Sequence, residues 1–260
     1  MKWVVRAVAL IAVVAVAWCC LTGWPAIVHG HPLYAVLLAL TVLVAILVAA
    51  LSLRARPPAR GWRRVVAIVL VLLALGWIAL MVWLRPFPAL EPALAAMQSD
   101  ATVTVVGSPT QIVMTPTAQA STTGVFFQPG AKVEARAYAA ILRPLAEAGY
   151  TVVIPKQPLG IAFLAMGAFE SAQAANPQIT QWVVGGHSLG GTVAAIDAEQ
   201  HDLDAQAPVT GLLLYASYPA STMAGWGLMV LTNMLPNQGN GTYVFSMWAT
   251  DREGHTVLMG

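Results

Sequence analysis

A mostly parallel α/β sheet with helices on both faces, preceded by three transmembrane helices, is the fold class this 260-residue sequence predicts. Three observations predict it. Apolar residues make up 58% of the chain against 9% charged, and they crowd into its first third. After about Thr123, short β-branched or aromatic runs alternate with stretches of helical spacing, the pattern of a parallel sheet covered on both sides. One of those runs, Val183-Val184-Gly185-Gly186-His187-Ser188-Leu189-Gly190-Gly191, breaks into glycines around a single serine before helical spacing resumes.

The apolar runs come first in the chain. Roughly Trp3 to Leu21, Leu33 to Leu53 and Val65 to Leu84 each approach the ~20 residues that a spanning helix needs, and none carries charge over its centre. Buried helices of a soluble core would not be so long and charge-free. The first run could be read as a signal peptide with Lys2 and Arg6 as its basic region. Two further spans follow at once and no small-residue cleavage site stands out, so a retained helix is expected. Residues 1–84 are therefore expected to form a membrane domain, 85–100 a proline-rich linker with Pro86, Pro88 and Pro92, and 101–260 an α/β domain.

Orientation follows from the basic residues. Lys2 and Arg6 flank the first span, and Arg54, Arg56, Arg60, Arg63 and Arg64 crowd the second connection, whereas Thr22 to Pro32 holds only His29 and His31. By the positive-inside rule the N-terminus and the arginine loop are cytoplasmic, and three crossings put everything after Arg85 outside the cell membrane. The indoles of Trp3, Trp24, Trp62, Trp77 and Trp83 fall mostly near span ends, where such rings favour the interface.

The net charge of +2 comes largely from the arginine loop, so it reports topology and gives no reason to expect nucleic acid. That loop could attract anionic lipid head groups. Cys19 and Cys20 both fall in the first span, which leaves no disulfide framework or thiolate metal site for the outer domain. Palmitoylation of the pair is one reading; two small apolar residues in a helix is the simpler one.

Within the α/β domain, Thr102 to Val106 and Gln111 to Met114 flank Gly107-Ser108-Pro109 and predict a hairpin. Gly124-Val125-Phe126-Phe127 predicts a buried strand. From Val133 to Ala148 helical spacing aligns Tyr138, Ile141, Leu142 and Leu145, with Gly149 as the stop. Tyr150 to Pro155 predicts another strand, Ile161 to Ala175 a helix ended by Asn176-Pro177, and Trp182-Val183-Val184 a strand leading to the serine. Thr192 to His201 continues as helix, and Val209 to Tyr215 is again a strand. Ser221 to Asn240, with Met223, Trp226, Leu228, Met229 and Leu231, is apolar for a surface connection. It could line an acyl pocket or touch the membrane, and the plainer reading is a sheet-covering helix. There are no internal repeats.

The serine pentapeptide Gly186-His187-Ser188-Leu189-Gly190 has the form G-x-S-x-G. Glycines two before and two after the serine have no Cβ to clash where a strand turns sharply into a helix, and the helix aims free N–H groups and its positive dipole end at charge developing beside Ser188. Ser188 is the candidate nucleophile. His187 is expected to leave the turn in another direction and to pack or hydrogen-bond.

Residues from about Thr123 to Ala220 resemble an α/β-hydrolase domain, in particular its membrane-attached bacterial members. The matching stretches are Phe126 to Val133, Ala148 to Pro155, Gly185 to Gly191, and Leu213 to Ala220. The resemblance covers a little over a third of the chain and does not reach the spans. It implies hydrolysis of an ester or similar acyl bond in a small-molecule or lipid substrate, with no cofactor and no metal. It also implies an oxyanion hole made by the N–H of Leu189 and one N–H from the loop after an earlier strand. Pro129 has none, so Gly130 or Ala131 would supply it.

The family order is serine, acid, histidine. Tyr243 to Asp251 resembles the strand that ends at the acid, although a glycine usual near Ala249 is absent; Asp251 is the candidate, with Glu253 second. Only nine residues follow Asp251, too few for a further helix, strand and histidine loop. His201 lies thirteen residues along the helix from Ser188, roughly 20 Å at 1.5 Å per residue, and is too far. His255 is the remaining candidate base, and a shortened or frame-altered C-terminus is the simplest account of a tail that does not resemble the family. The rival expectation is a catalytically silent membrane protein that keeps the fold as a binding module.

Overall fold

The computed structural model describes residues 2–54, 61–219, 228–236, 243–250 and 256–259, with side chains up to residue 219. The chain divides into two compact units, Met1–Phe87 and Pro88–Gly260.

The first unit consists of α1 (Lys2–His29), α2 (Pro32–Leu53) and α3 (Trp62–Trp83), each long and apolar enough to cross a membrane. The helix α1 runs eight residues past the expected end of the first span and takes Pro25 into its last turns. Small residues let the helices approach, with Ala9, Ala12 and Ala45 buried against Ile78. Polar side chains on these apolar helices are satisfied between helices. Tyr34 Oη donates to the Met81 carbonyl at 2.7 Å, and Trp77 Nε1 donates to Thr41 Oγ1 at 2.9 Å.

The second unit carries a nine-stranded sheet in the order β1-β2-β4-β3-β5-β6-β7-β8-β9. The strands are β1 (Val103–Gly107), β2 (Gln111–Pro116), β3 (Thr123–Gln128), β4 (Thr151–Pro155), β5 (Gln181–His187), β6 (Val209–Tyr215), β7 (Leu228–Pro236), β8 (Tyr243–Thr250) and β9 (Thr256–Met259). The expected hairpin is β1 with β2, and β4, β3, β5, β6 and β7 pair in parallel. Both faces of the central strands are buried, so their apolar runs are continuous rather than alternating. Val125, Phe127, Val152 and Ile154 pack on α4 (Ala139–Glu147) through Ala139, Leu142 and Ala146. Phe126, Val153, Val184 and Leu212 pack on the other face against Phe169 and Ala172 of α5 (Ala168–Ala175) and Ala194, Ala195 and Ala198 of α6 (Leu189–His201).

Two expectations are revised. The helix expected over 161–175 is a 3-10 turn, Ala162–Ala165, followed by α5; Gly167 separates them, as a residue with about 1 kcal/mol lower helix propensity than alanine can. Within the apolar stretch expected as a sheet-covering helix, Leu228–Pro236 is a strand, since a short apolar run has no period that distinguishes the two. The strand β8 pairs antiparallel with β7. Six residues separate the two strands, and a parallel crossover needs roughly a dozen or more.

This topology decides where chemistry can sit. The chain leaves β3 for β4 on one side and leaves β5 for β6 on the other, so the connections diverge between the adjacent strands β3 and β5. Ligands of open α/β sheets bind in the crevice beyond the carboxyl ends of the strands at such a switch point. The loop after β3 and the turn carrying Ser188 both open there.

Candidate active site

Ser188 stands between the end of β5 at His187 and the start of α6 at Leu189, with φ 51° and ψ −123°. A non-glycine residue in this region is strained by on the order of 1–3 kcal/mol and persists only where its surroundings over-determine it. Here they do. The Ser188 N–H donates to the Tyr215 carbonyl at 3.0 Å. Its own carbonyl accepts from the N–H groups of Gly191 and Thr192 at 3.0 and 3.3 Å and from Ser217 Oγ at 2.7 Å. The side chain is exposed and makes no capping bond to α6, so Oγ has no hydrogen-bond partner among the described residues.

The glycines of the pentapeptide are steric requirements. A Cβ on Gly186 would stand 2.4 Å from the Gly190 carbonyl carbon, and one on Gly190 would stand 2.2 Å from the Pro129 oxygen. The loop after β3 is thereby pressed onto the first turn of α6. In that loop the Gly130 N–H donates to Tyr138 Oη at 2.8 Å, and the same oxygen lies 2.8 Å from His187 Nδ1. The N–H groups of Ala131 and Leu189 meet no acceptor among the described residues.

Beneath the loop runs a buried polar chain. Gln157 Nε2 donates to the Pro129 carbonyl and to Gln128 Oε1, both at 3.0 Å, and Gln128 Nε2 donates to Asp197 Oδ2 at 3.3 Å. All three side chains are buried. Burial pushes the Asp197 carboxyl up to about 7, with the Glu170 charge adding to the effect and the Gln128 hydrogen bond opposing it. Burial also lowers the His187 pKa and pushes the Tyr138 phenol up to about 12.

Strain gathers at the same edge. The non-glycine residues with positive φ among those described are Lys132, Leu159, Ser188 and Ala216, at 61°, 55°, 51° and 44°. They follow the carboxyl ends of β3, β4, β5 and β6 respectively. Of the residues expected from sequence, Ser188, Leu189, Gly130 and Ala131 come together at the switch point. Asp251, Glu253 and His255 lie outside the described residues. The strands on either side of them end at Thr250 and Thr256, a pair level with Met229 and hence with Leu212. Ser188 follows His187, which is level with Tyr215. His201 closes the continuous helix α6, with its ring against Phe169 and Nε2 3.4 Å from Glu170 Oε1. Sequence reasoning missed Tyr138, Gln128, Gln157, Asp197 and Ser217 as site residues. Asp197 alone left a signal, a carboxylate inside an alanine-rich helical run. Among the described residues no group of three or more His, Cys, Asp or Glu is placed to hold a metal.

A strained, exposed serine between strand and helix at a switch point, beside two N–H groups with no acceptor among the described residues, is the arrangement of the hydrolase folds built around a strand-turn-helix elbow. Residues 124–235, from β3 to β7, match the family described as Alpha/beta hydrolase family, and this part of the chain is an α/β-hydrolase domain. No curated protein matches the chain. Among solved structures it is similar to EstE1, a thermophilic carboxylesterase cloned from a metagenomic library, at 22% identity over 51% of this chain and 52% of that one, with a TM-score of 0.37. It is similar also to a Pyrobaculum calidifontis esterase, at 19% identity over 53% and 52% of the two chains with a TM-score of 0.38. A bacterial heroin esterase matches at 21% identity over 51% and 49%, with a TM-score of 0.37. The chain thus spans about half the length of these esterases.

Proposed function

We propose that this chain is a membrane-tethered serine hydrolase acting on an ester or similar acyl bond, with its α/β domain on the extracytoplasmic side. The observation that carries the reading is the Ser188 turn, whose backbone is bonded at both its N–H and its carbonyl while Oγ meets no partner among the described residues. In this mechanism Ser188 Oγ attacks the acyl carbon and passes its proton to a histidine. Negative charge gathers on the former carbonyl oxygen, where the N–H groups of Leu189 and Ala131 receive it; Gly130 is engaged by Tyr138 and leaves Ala131 as the loop donor. The alcohol departs with the proton, and water then releases the acid from the acyl-enzyme by the same steps in reverse.

The base in this reading is His255, oriented by Asp251. Thr250 and Thr256 stand three residues, about 10 Å, along the strands from the level of His187, and Ser188 lies one residue further still. The assignment therefore requires the segment between them to reach back across that distance. Replacing His255 with alanine tests it: turnover of a short p-nitrophenyl ester falls to the uncatalysed rate if His255 is the base and is unchanged if it is not.

The reading as a whole is tested with a fluorophosphonate probe on the full chain in detergent. Labelling that disappears in Ser188→Ala supports the hydrolase. Absence of labelling in well-folded protein defeats it in favour of the silent binding module.

A further inference from the structure

We propose that Tyr138 is a positioning residue that fixes the spacing between the nucleophile turn and the oxyanion loop by hydrogen-bonding both at once. The proposal rests on the hydrolase reading above and adds to it a third element. Tyr138 lies on neither strand that carries the site; it ends the 3-10 turn Ala135–Tyr138 that leads into α4. From there its phenol reaches the loop after β3 through Gly130 and the end of β5 through His187.

The direction of each bond follows from counting protons. A phenol has one O–H and two lone pairs. The Gly130 N–H fills one lone pair at 2.8 Å. The single other polar partner of Tyr138 among the described residues is His187 Nδ1, also at 2.8 Å. If Nδ1 carried the proton, two donors would crowd the phenol oxygen and the buried O–H would have no acceptor. The O–H therefore donates to Nδ1, and neutral His187 carries its own proton on Nε2. Burial keeps both partners in the required form, since it lowers the His187 pKa and raises that of Tyr138.

Packing also holds the phenol, which is buried. Its ring tilts against Phe127 at 5.3 Å and against His187 at 5.9 Å. A Cβ on Gly130 would stand 2.4 Å from His187 Nδ1 and 3.1 Å from Tyr138 Oη, so loop, imidazole and phenol are already at closest approach. Removing the phenol oxygen leaves the Gly130 N–H without its acceptor and lets the loop, and Ala131 with it, move relative to Ser188. Misplacement of a positioned group by about 1 Å costs on the order of 100-fold in rate.

The test uses the full chain in detergent with 15N-labelled histidine rings. Long-range proton–nitrogen correlation reads the His187 tautomer, assigned by the signal that vanishes in His187→Asn. Wild type is expected to show only the Nε2–H form and Tyr138→Phe a mixture of both. Fluorophosphonate labelling of Ser188 is expected to slow about 10- to 100-fold in Tyr138→Phe. It slows comparably in His187→Ala, and His187→Asn, whose Oδ1 can still accept the phenol proton, recovers part of that loss. A purely structural role would give no such recovery. An unchanged tautomer in Tyr138→Phe overturns the proposal, as does labelling of Tyr138→Phe and His187→Ala at the wild-type rate. Should Tyr138→Phe fail to fold, the His187 pair decides by the presence or absence of recovery. If wild type is not labelled at all, the hydrolase reading falls, and the tautomer alone decides whether the Tyr138 bridge stands.

Discussion

The carbonyl oxygen of Pro129 occupies the space that a Cβ on Gly190 would need: the two would stand 2.2 Å apart, with the Gln128 carbonyl only 2.3 Å away. The second glycine of the pentapeptide thus serves the loop after β3 as much as the turn. In most helices glycine to alanine gains up to about 1 kcal/mol. Here the obstruction is backbone that cannot rotate away, and overpacking costs typically ~1–3 kcal/mol. Gly190→Ala is expected to lower stability by about 1–2 kcal/mol in chemical denaturation and to slow phosphonate labelling as the loop moves. A variant more stable than wild type would show that the loop yields freely.

Strain at Ser188 gives the opposite sign. With φ at 51°, the position suits glycine better than any residue with a Cβ. Ser188→Gly is expected to raise stability by roughly 1 kcal/mol over Ser188→Ala, because both lose the hydroxyl and only glycine relieves the strain. Thermal melts of the two variants supply the comparison. Coincident melts would mean that the turn stores no strain.

Much of this was legible in the sequence, and the reasons differ from element to element. Length and absence of charge identify α1, α2 and α3, because hydrocarbon thickness is a constraint that few other environments share. The central strands were visible as β-branched runs, and the Ser188 turn as glycines at fixed offsets. The direction of β8 was not, since a resemblance in local sequence says nothing about pairing partners, whereas the short connection from β7 does. Tyr138 read as one member of an apolar helical stripe. Its function depends on two acceptor and donor groups, at Gly130 and His187, that are distant in sequence and meet it only because β3 and β5 are neighbours. Asp197, Gln128 and Gln157 are likewise joined by topology and not by spacing.

The unit of three long apolar helices makes its own prediction. Arg6 donates from Nε to Ser52 Oγ at 3.0 Å, so the start of α1 and the end of α2 share one end of the bundle. Arg85 donates to the Thr22 carbonyl at 3.1 Å and lies over the Trp18 ring, so the end of α3 sits by the last turns of α1 at the other end. With the arginine-rich connection on the cytoplasmic side, a reporter fused after Leu53 is expected to report cytoplasm and one fused after Gly260 the exterior. A cytoplasmic signal from the Gly260 fusion would defeat the extracytoplasmic placement.

Asp197 sets the last prediction. Its carboxyl is raised from an ordinary 3.8 to about 7 by burial above all, so between those values the folded protein holds a proton that the unfolded chain has released. Where the native state binds more protons, stability falls as pH rises. The contribution is intact below the unfolded pKa and is lost as pH rises through the folded one. Asparagine is isosteric, keeps an oxygen to accept from Gln128 Nε2, and cannot ionise. Asp197→Asn is therefore expected to match wild type near pH 4 and to be more stable near pH 8. At roughly 1.4 kcal/mol per pH unit the ceiling on that gain is about 4 kcal/mol. His187, whose pKa burial lowers, acts in the opposite sense and weakens the fold as pH falls below its ordinary 6.5. It does so equally in both proteins and cancels from the difference. Denaturation curves for the pair at several pH values provide the check: a stability difference that does not grow with pH would mean that Asp197 is ionised in the fold, and that the chain through Gln128 to the Pro129 carbonyl is held by a charge.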